Sequence, residues 1–184
     1  VLISDKMSEE GIQFLEEQGC FTVVNRPGLP PDELLQEVTD AAALIVRSKT
    51  KVTPAVFEAA SQLKAVGRAG AGVDNIDLEA AKRHGVAVAN IRAYCTESVA
   101  EHVFGCLLNL THSLQGYVND VRSGAWQEAS NFCMLTRPIS ELSAMTLGIV
   151  GYGELGRGVA RIGEAFGMKV IVAARPGSDA VPQG

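Results

Sequence analysis

The sequence has little that would mark a secreted, disulfide-bonded or membrane protein. Its four cysteines include no Cys-x-x-Cys pair and are too sparse for a disulfide-stabilised scaffold. No apolar stretch reaches the ~18–20 residues of a membrane span. No charged and apolar leader of the secretory type is present, although Val1 suggests that the natural start lies upstream. We therefore expect a cytoplasmic protein with reduced thiols and no membrane partner.

Metal and nucleic-acid sites also have little support. His102 and Cys106 lie four residues apart on a predicted helix, but two ligands without a third make a poor metal site, so we expect no metal. Lysine and arginine number 16 against 21 aspartate and glutamate residues, which gives a net charge of −5. No basic run could follow a phosphate backbone, so nucleic acid is not an expected partner.

What the sequence does contain is a regular alternation of short apolar strands and amphipathic helices. Five strands are predicted in the first ninety residues, at 1–4, 21–24, 43–46, 63–67 and 86–89. Ser8 and Asp77 are placed to cap two of the intervening helices. Alternation with short connections predicts an α/β fold with a parallel sheet that helices cover on both faces. We expect a flavodoxin-like domain over residues 1–93.

A glycine-rich turn follows a second group of apolar residues. Gly151, Gly153 and Gly156 form a Gly-x-Gly-x-x-Gly pattern between a predicted strand and helix, and a strand at 169–174 completes a βαβ unit of about 30 residues. The first glycine allows a tight turn, the second lets the backbone approach a pyrophosphate, and the third lets the helix pack on the strand. This predicts dinucleotide binding at the helix N-terminus. The alternative is a glycine-rich turn in another α/β layer.

The residues between these regions predict a long helical connection. Ser98 and Glu101 form a capping-box pattern that opens an apolar helix, which continues in pieces to about Gln127. The βαβ unit then supplies two strands, against about six in a complete dinucleotide-binding fold. We therefore predict a second domain at 94–184, made of the long helix and an incomplete Rossmann domain.

Four segments carry a family resemblance: residues 44–52, 66–81, 94–102 and 148–157. With the order of elements along the whole chain, they resemble the D-2-hydroxyacid dehydrogenases, which use a nicotinamide cofactor. The first two segments are similar to the phosphoglycerate dehydrogenase branch, and the last two to the glycerate dehydrogenase (hydroxypyruvate reductase) branch. That division fits an intermediate member or a composite sequence.

The resemblance implies interconversion of a 2-hydroxy acid and a 2-keto acid with NAD or NADP. The implied substrate pairs are 3-phosphoglycerate with phosphohydroxypyruvate, or glycerate with hydroxypyruvate. In the family the first domain presents the substrate, and hydride passes across a cleft to the nicotinamide.

The resemblance also implies substrate-binding residues in two loops. Arg47 and Ser48 would meet the acidic end of the substrate, where the planar donors of arginine suit a phosphate or carboxylate. Gly70, Ala71 and Gly72 would hold the substrate carboxylate through backbone N–H groups, and Ala71 would also face the nicotinamide. The alternatives are a surface ion pair for the arginine and a tight strand-to-helix turn for the glycine loop.

Cofactor residues are implied beside the glycine turn. Thr96 would lie near the cofactor, and Glu154 and Leu155 would offer backbone N–H groups to the pyrophosphate together with the three glycines. The family usually has an acidic residue after the second strand to bind the ribose hydroxyls, but Ala174 stands there and Arg175 follows. That change favours NADP, and the alternative is a loose NAD site with an exposed arginine.

The family's chemistry uses an arginine and a histidine paired with a carboxylate, and the corresponding positions would lie beyond Gly184. We therefore assign no catalytic residue within the chain and expect it to be inactive by itself. Residues 98–145 are similar to the family's subunit-joining arm, so a homodimer is expected. The competing hypothesis is a non-catalytic nucleotide-binding or dimerisation module on the same scaffold.

Overall fold

A computed structural model describes residues 1–173, and the chain divides into two compact units. Unit 1 spans Val1–Tyr94 and unit 2 begins at Cys95. The elements of unit 1 are β1 (Leu2–Ile3), α1 (Glu9–Glu17), β2 (Val24–Asn25), α2 (Pro31–Glu37), β3 (Ala43–Val46), α3 (Pro54–Ala59), β4 (Ala65–Arg68), α4 (Leu78–Arg83) and β5 (Ala87–Asn90). Those of unit 2 are α5 (Thr96–Thr111), α6 (Leu114–Arg122), α7 (Ala125–Glu128), a 3-10 turn (Leu142–Ala144), β6 (Thr146–Val150), α8 (Glu154–Ala165) and β7 (Lys169–Ala173).

The five strands of unit 1 form one parallel sheet in the order β2-β1-β3-β4-β5. This is the flavodoxin-like order, so the predicted α/β fold class is confirmed. The register pairs Leu44 with Val66 and Val66 with Val88 across β3, β4 and β5. Because every strand is parallel to its neighbours, all five carboxyl ends lie at one edge of the sheet.

One face of this sheet carries the core of unit 1. Leu44, Val46 and Val66 are fully buried there, and α2, α3 and α4 cover them with apolar residues that include Phe57. The opposite face is covered less completely, since residues such as Ile45 are only half-buried and α1 has no buried residue. The two faces are therefore covered to different extents.

Two predicted helix caps in unit 1 are confirmed. The Ser8 hydroxyl accepts a hydrogen bond from the Gly11 N–H at 3.3 Å, and the Asp77 carboxylate accepts one from the Ala80 N–H at 2.7 Å. β2 lies three residues later than predicted because its N–H groups, beginning with Val24, pair with the short β1 strand.

In unit 2 the long helix α5 packs on α8 and on residues that flank the two-stranded parallel sheet. Phe104 of α5 is buried with Leu142 and Met168, and its ring stacks on Phe166 with the centroids 5.2 Å apart. α5 begins at Thr96 without a side-chain cap, so the predicted capping box two residues later is wrong. No helix within residues 1–173 has the length and apolarity needed to cross a membrane.

An exposed ion pair ties α6 to the irregular segment after α7. Arg137 donates from Nε and Nη2 to the two carboxylate oxygens of Asp120, at 2.9 and 2.7 Å. The Tyr117 hydroxyl donates to the Arg137 carbonyl at 3.1 Å. The guanidinium hydrogen bonds lower the pKa of the Asp120 carboxyl, and the same contact raises the pKa of Arg137.

This ion pair gives a pH prediction for unit 2. Because the pKa of Asp120 is lower in the folded chain, the pair stabilises the fold above the usual aspartate pKa of about 3.9, and that contribution is lost as the pH falls through the folded value. The stability difference between the chain and its Asp120→Asn variant should therefore shrink on acidification. Urea unfolding at neutral and acidic pH measures it, and a difference independent of pH would contradict the assignment.

Candidate functional site

The predicted substrate residues lie at one edge of the unit 1 sheet. Arg47 and Ser48 follow β3 directly, and the loop Gly70-Ala71-Gly72 follows β4. Both segments leave the carboxyl ends of adjacent parallel strands, which is where open α/β sheets bind their ligands.

The loop at residues 47–50 is fixed by two side chains from distant parts of the chain. Asp5, which follows β1, is 4% exposed, and its Oδ2 accepts the N–H groups of Arg47 at 2.6 Å and Thr50 at 3.2 Å. The Asn75 amide donates to the carbonyls of the same two residues, at 2.9 and 2.8 Å. Both ends of the loop are therefore held in place, which presents the residues between them to a ligand.

A cavity of about 260 Å³ opens beside this loop. Its lining includes three cationic residues, Lys6, Arg47 and Lys49, and one carboxylate, that of Asp5. The backbone N–H groups of Ser48 and Lys49 have no acceptor among residues 1–173, and Arg47 makes no ion pair in that part of the chain. The alternative of a surface ion pair for Arg47 thus has no support, and the cavity suits an anion of phosphate or carboxylate size.

The glycine loop after β4 also presents free backbone donors. Its carbonyl groups are held by β5 and the residue after it, since the Asn90 amide donates to the Ala71 oxygen at 2.6 Å and the Ile91 N–H to the Gly70 oxygen at 3.1 Å. The N–H groups of Ala71 and Gly72 have no acceptor within the described residues. Gly70 has φ of +155°, a conformation that side chains disfavour.

Arg68 is a candidate that the sequence reasoning missed. It ends β4, and its guanidinium lies where a side chain on Gly70 would point. Nη1 donates to the Ala69 carbonyl at 3.3 Å, but the buried Nε has no partner among residues 1–173. The only signal for it in the sequence is a cation in an apolar strand directly before the glycine loop. An orphaned buried donor there fits an anionic ligand.

In unit 2 the glycine turn has the shape that a dinucleotide requires. Gly151 has φ of +96°, and a Cβ on Gly156 would collide with the Gly151 carbonyl oxygen, while a Cβ on Gly153 would meet open space. α8 has no side-chain cap, and the N–H groups of Glu154, Leu155 and Gly156 have no acceptor among residues 1–173. These features fit a diphosphate at the helix N-terminus.

Thr96 lies beside this turn within unit 2. Its hydroxyl donates to Oε1 of Glu154 at 2.8 Å, and its methyl group would be 2.5 Å from a Cβ on Gly158. The structure thus brings Thr96 next to the predicted diphosphate donors. Ala174 and Arg175, the other predicted cofactor residues, lie outside the described residues.

Two of the three histidines contact other side chains within residues 1–173. His84 stacks on Phe57 with the ring centroids 6.2 Å apart, and His102 lies 3.7 Å from the sulfur of Cys106. None of the three histidines pairs with a carboxylate in residues 1–173. Within the same residues no group of three or more His, Cys, Asp or Glu side chains could hold a metal ion.

Comparison with known proteins identifies this arrangement. Residues 1–178 match the family model for the catalytic domain of D-isomer specific 2-hydroxyacid dehydrogenases. The chain belongs to this family. Over 171 residues it is 40% identical to D-3-phosphoglycerate dehydrogenase of Methanocaldococcus jannaschii, covering 93% of this chain and 31% of the relative. The chain therefore spans about a third of the length of that curated dehydrogenase.

Solved structures of dehydrogenases and reductases share the fold. D-lactate dehydrogenase from Aquifex aeolicus, complexed with NAD and lactic acid, is 28% identical with a TM-score of 0.74, over 94% of this chain and 50% of that one. An acyclic imino acid reductase in complex with NADPH and D-Arg is 26% identical with a TM-score of 0.75, over 98% of this chain and 58% of that one. Among these relatives, therefore, both NAD and NADPH occur as bound nucleotides.

Proposed function

We propose that the chain is the substrate-binding unit and the first part of the dinucleotide-binding unit of an oxidoreductase. The reaction interconverts 3-phosphoglycerate and phosphohydroxypyruvate. The observation that carries this proposal is the cavity beside residues 47–50, with its cationic side chains and two free backbone N–H groups. The similarity to D-3-phosphoglycerate dehydrogenase supports it.

In this proposal each of the two loops of unit 1 binds one charged group of the substrate. Arg47, Ser48 and Lys49 bind the phosphate through charge-assisted hydrogen bonds. The free N–H groups of Ala71 and Gly72 bind the carboxylate. Glycerate with hydroxypyruvate fits less well, because that pair has no phosphate to neutralise the cations of the first loop.

For the cofactor we propose a nicotinamide dinucleotide, NAD(H) or NADP(H), which accepts or supplies the hydride. Gly151, Gly153 and Gly156 form the cradle for its diphosphate, and the N–H groups of Glu154 and Leu155 bind it. Thr96 contributes to the same site. Ala174 and Arg175 are proposed to select between the two cofactors.

We further propose that the chain by itself binds ligands without turnover. Proton transfer in such a reaction needs a group with a pKa near the working pH, held by a carboxylate. Among residues 1–173 no histidine has such a partner. The binding machinery and the proton-transfer machinery are therefore proposed to be separate.

A homodimer is proposed through residues 98–145 of unit 2. Several large apolar side chains are exposed there, including Leu110 at 77%, Phe132 at 93% and Leu135 at 82%. An apolar surface of this kind is typical of a protein–protein contact. Sedimentation velocity distinguishes a dimer from a monomer.

Calorimetric titration of the 184-residue chain tests the substrate proposal. We expect 3-phosphoglycerate to bind more tightly than glycerate, and Arg47→Gln to weaken 3-phosphoglycerate binding about 10- to 100-fold through loss of charged hydrogen bonds. Arg83→Gln removes the same charge from an exposed position on α4 and should change binding less than about twofold. Equal affinities for glycerate and 3-phosphoglycerate, or an unaffected Arg47→Gln variant, would exclude the proposed phosphate site.

Parallel titrations with NADH and NADPH test the cofactor proposal independently. Binding of either nucleotide supports the glycine cradle, and the ratio of the two dissociation constants decides the preference. If a folded chain binds neither nucleotide, unit 2 is not a dinucleotide site.

A further inference from the structure

A carboxylate lies at the point where the proposed site needs to attract an anion. Glu154 is the first residue of α8, whose free N–H groups form the proposed diphosphate site. Its Oε1 accepts a hydrogen bond from the Thr96 hydroxyl at 2.8 Å.

Packing between α5 and α8 fixes Thr96, whose hydroxyl donates to this carboxylate. The Thr96 methyl group is so close to Gly158 that a Cβ there would approach it to 2.5 Å. One residue later on α5, Glu97 pairs with Arg161 of α8 at 3.3 Å. The start of α5 therefore contacts α8 at three points, and the Thr96 hydroxyl is positioned beside the first turn of α8.

Arg157 and Arg161 lie on the same helix as Glu154, and neither forms an ion pair with it. Arg157 donates from Nη1 to the Tyr152 carbonyl at 3.3 Å, and Arg161 is paired with Glu97. Glu154 makes no ion pair with any residue in the described part of the chain. A negative charge in the first turn already interacts favourably with the helix dipole, and it repels a second anion that approaches the same N–H groups.

We propose that Glu154 limits the affinity of the dinucleotide site. Its carboxylate, held by Thr96, competes electrostatically with the diphosphate for the N-terminus of α8. The inference rests on the proposed binding of NAD(H) or NADP(H) to unit 2, and it assigns this chain a weaker cofactor site than the same turn would form with a neutral residue at position 154.

Titration of the full chain and its Glu154→Gln variant with NADH at low ionic strength tests the inference. Glutamine keeps the size and the oxygen that accepts from Thr96 but removes the charge. We expect the variant to bind NADH about five- to tenfold more tightly, from the loss of one short-range repulsion. The gain should decrease at high salt, because an exposed charge is screened.

Glu164→Gln is the matched control. Glu164 is exposed at the other end of the same helix, so its variant has the same change in net charge without a change at the proposed site. We expect less than a twofold effect on NADH affinity. The inference is supported if only Glu154→Gln binds NADH more tightly than the wild-type chain, and if this gain in affinity decreases at high salt.

Three results would overturn it: equal or weaker NADH binding by Glu154→Gln, the same gain with Glu164→Gln, or a gain that salt leaves unchanged. If the wild-type chain and both variants are folded by circular dichroism but bind no NADH or NADPH, the proposed dinucleotide site itself fails, and this inference fails with it. If the wild-type chain binds NADH, the proposed dinucleotide site stands even where the inference about Glu154 fails.

Discussion

Alanine at position 156 is expected to abolish dinucleotide binding and to lower the free energy of unfolding by about 2–3 kcal/mol. The new methyl group would collide with the backbone carbonyl oxygen of Gly151 and approach the Ile149 side chain to 3.3 Å. A backbone atom cannot rotate away as a side chain can, so α8 must move away from β6. This movement changes the geometry of the turn that is proposed to bind the diphosphate. Urea unfolding measures the first effect, and NADH titration the second.

Gly153→Ala is the companion variant for this test. A Cβ there meets no other atom within 4 Å, and Gly153 has φ of −80° and ψ of −158°, which an alanine tolerates. We expect its stability to change by less than about 0.5 kcal/mol, while NADH binding is lost because the methyl group blocks the diphosphate. Normal NADH binding by both variants would exclude the turn as the dinucleotide site, and unchanged stability of Gly156→Ala would contradict its tight packing.

Much of unit 1 could be predicted from the sequence because its determinants are local. The caps at Ser8 and Asp77 each involve a backbone group three residues away, and β3 is a continuous run of four apolar residues. Such features can be recognised without knowledge of the fold. The glycine turn of unit 2 is equally local, since Gly151 and Gly156 meet across five residues.

The errors of sequence reasoning come from contacts between distant segments. The capping box at Ser98 competes with a helix that starts at Thr96, where the methyl group packs on Gly158 of another helix. Tertiary packing therefore sets the start of α5, although Ser98 and Glu101 have the spacing of a capping box. The position of β2 follows similarly from the residues that β1 can pair with.

In the candidate substrate site, too, local features could be predicted and contacts between distant segments could not. Arg47 could be proposed from the sequence through its resemblance to a family loop, but the groups that hold this loop could not. Asp5 and Asn75 reach Arg47 over 42 and 28 positions along the chain. Arg68 gains its relevance only when the fold puts its guanidinium over Gly70. Without coordinates, nothing distinguishes Asp5 and Asn75 from other polar residues in loops, and Arg68 is recognisable only as a cation at the end of an apolar strand.

Asp5→Ala is expected to have the largest effect in unit 1. The substitution removes the acceptor for the N–H groups of Arg47 and Thr50, which lie in a partly buried position. Hydrogen bonds to a charged group contribute about 1.5–3 kcal/mol each, so we expect the free energy of unfolding to fall by about 2–4 kcal/mol. The loop also loses its fixed geometry, which should weaken 3-phosphoglycerate binding more than tenfold. Urea unfolding and calorimetric titration measure the two effects.

Asp5→Asn separates the role of the acceptor from the role of the charge. The asparagine keeps one side-chain oxygen that can accept from Arg47 and Thr50, so it should recover at least half of the lost stability and most of the affinity. It also removes a carboxylate from the lining of a cavity that we propose binds a phosphate. If Asp5→Asn destabilises the chain as much as Asp5→Ala does, charge rather than hydrogen-bond geometry holds the loop. If neither variant alters 3-phosphoglycerate binding, the substrate does not depend on the conformation of residues 47–50.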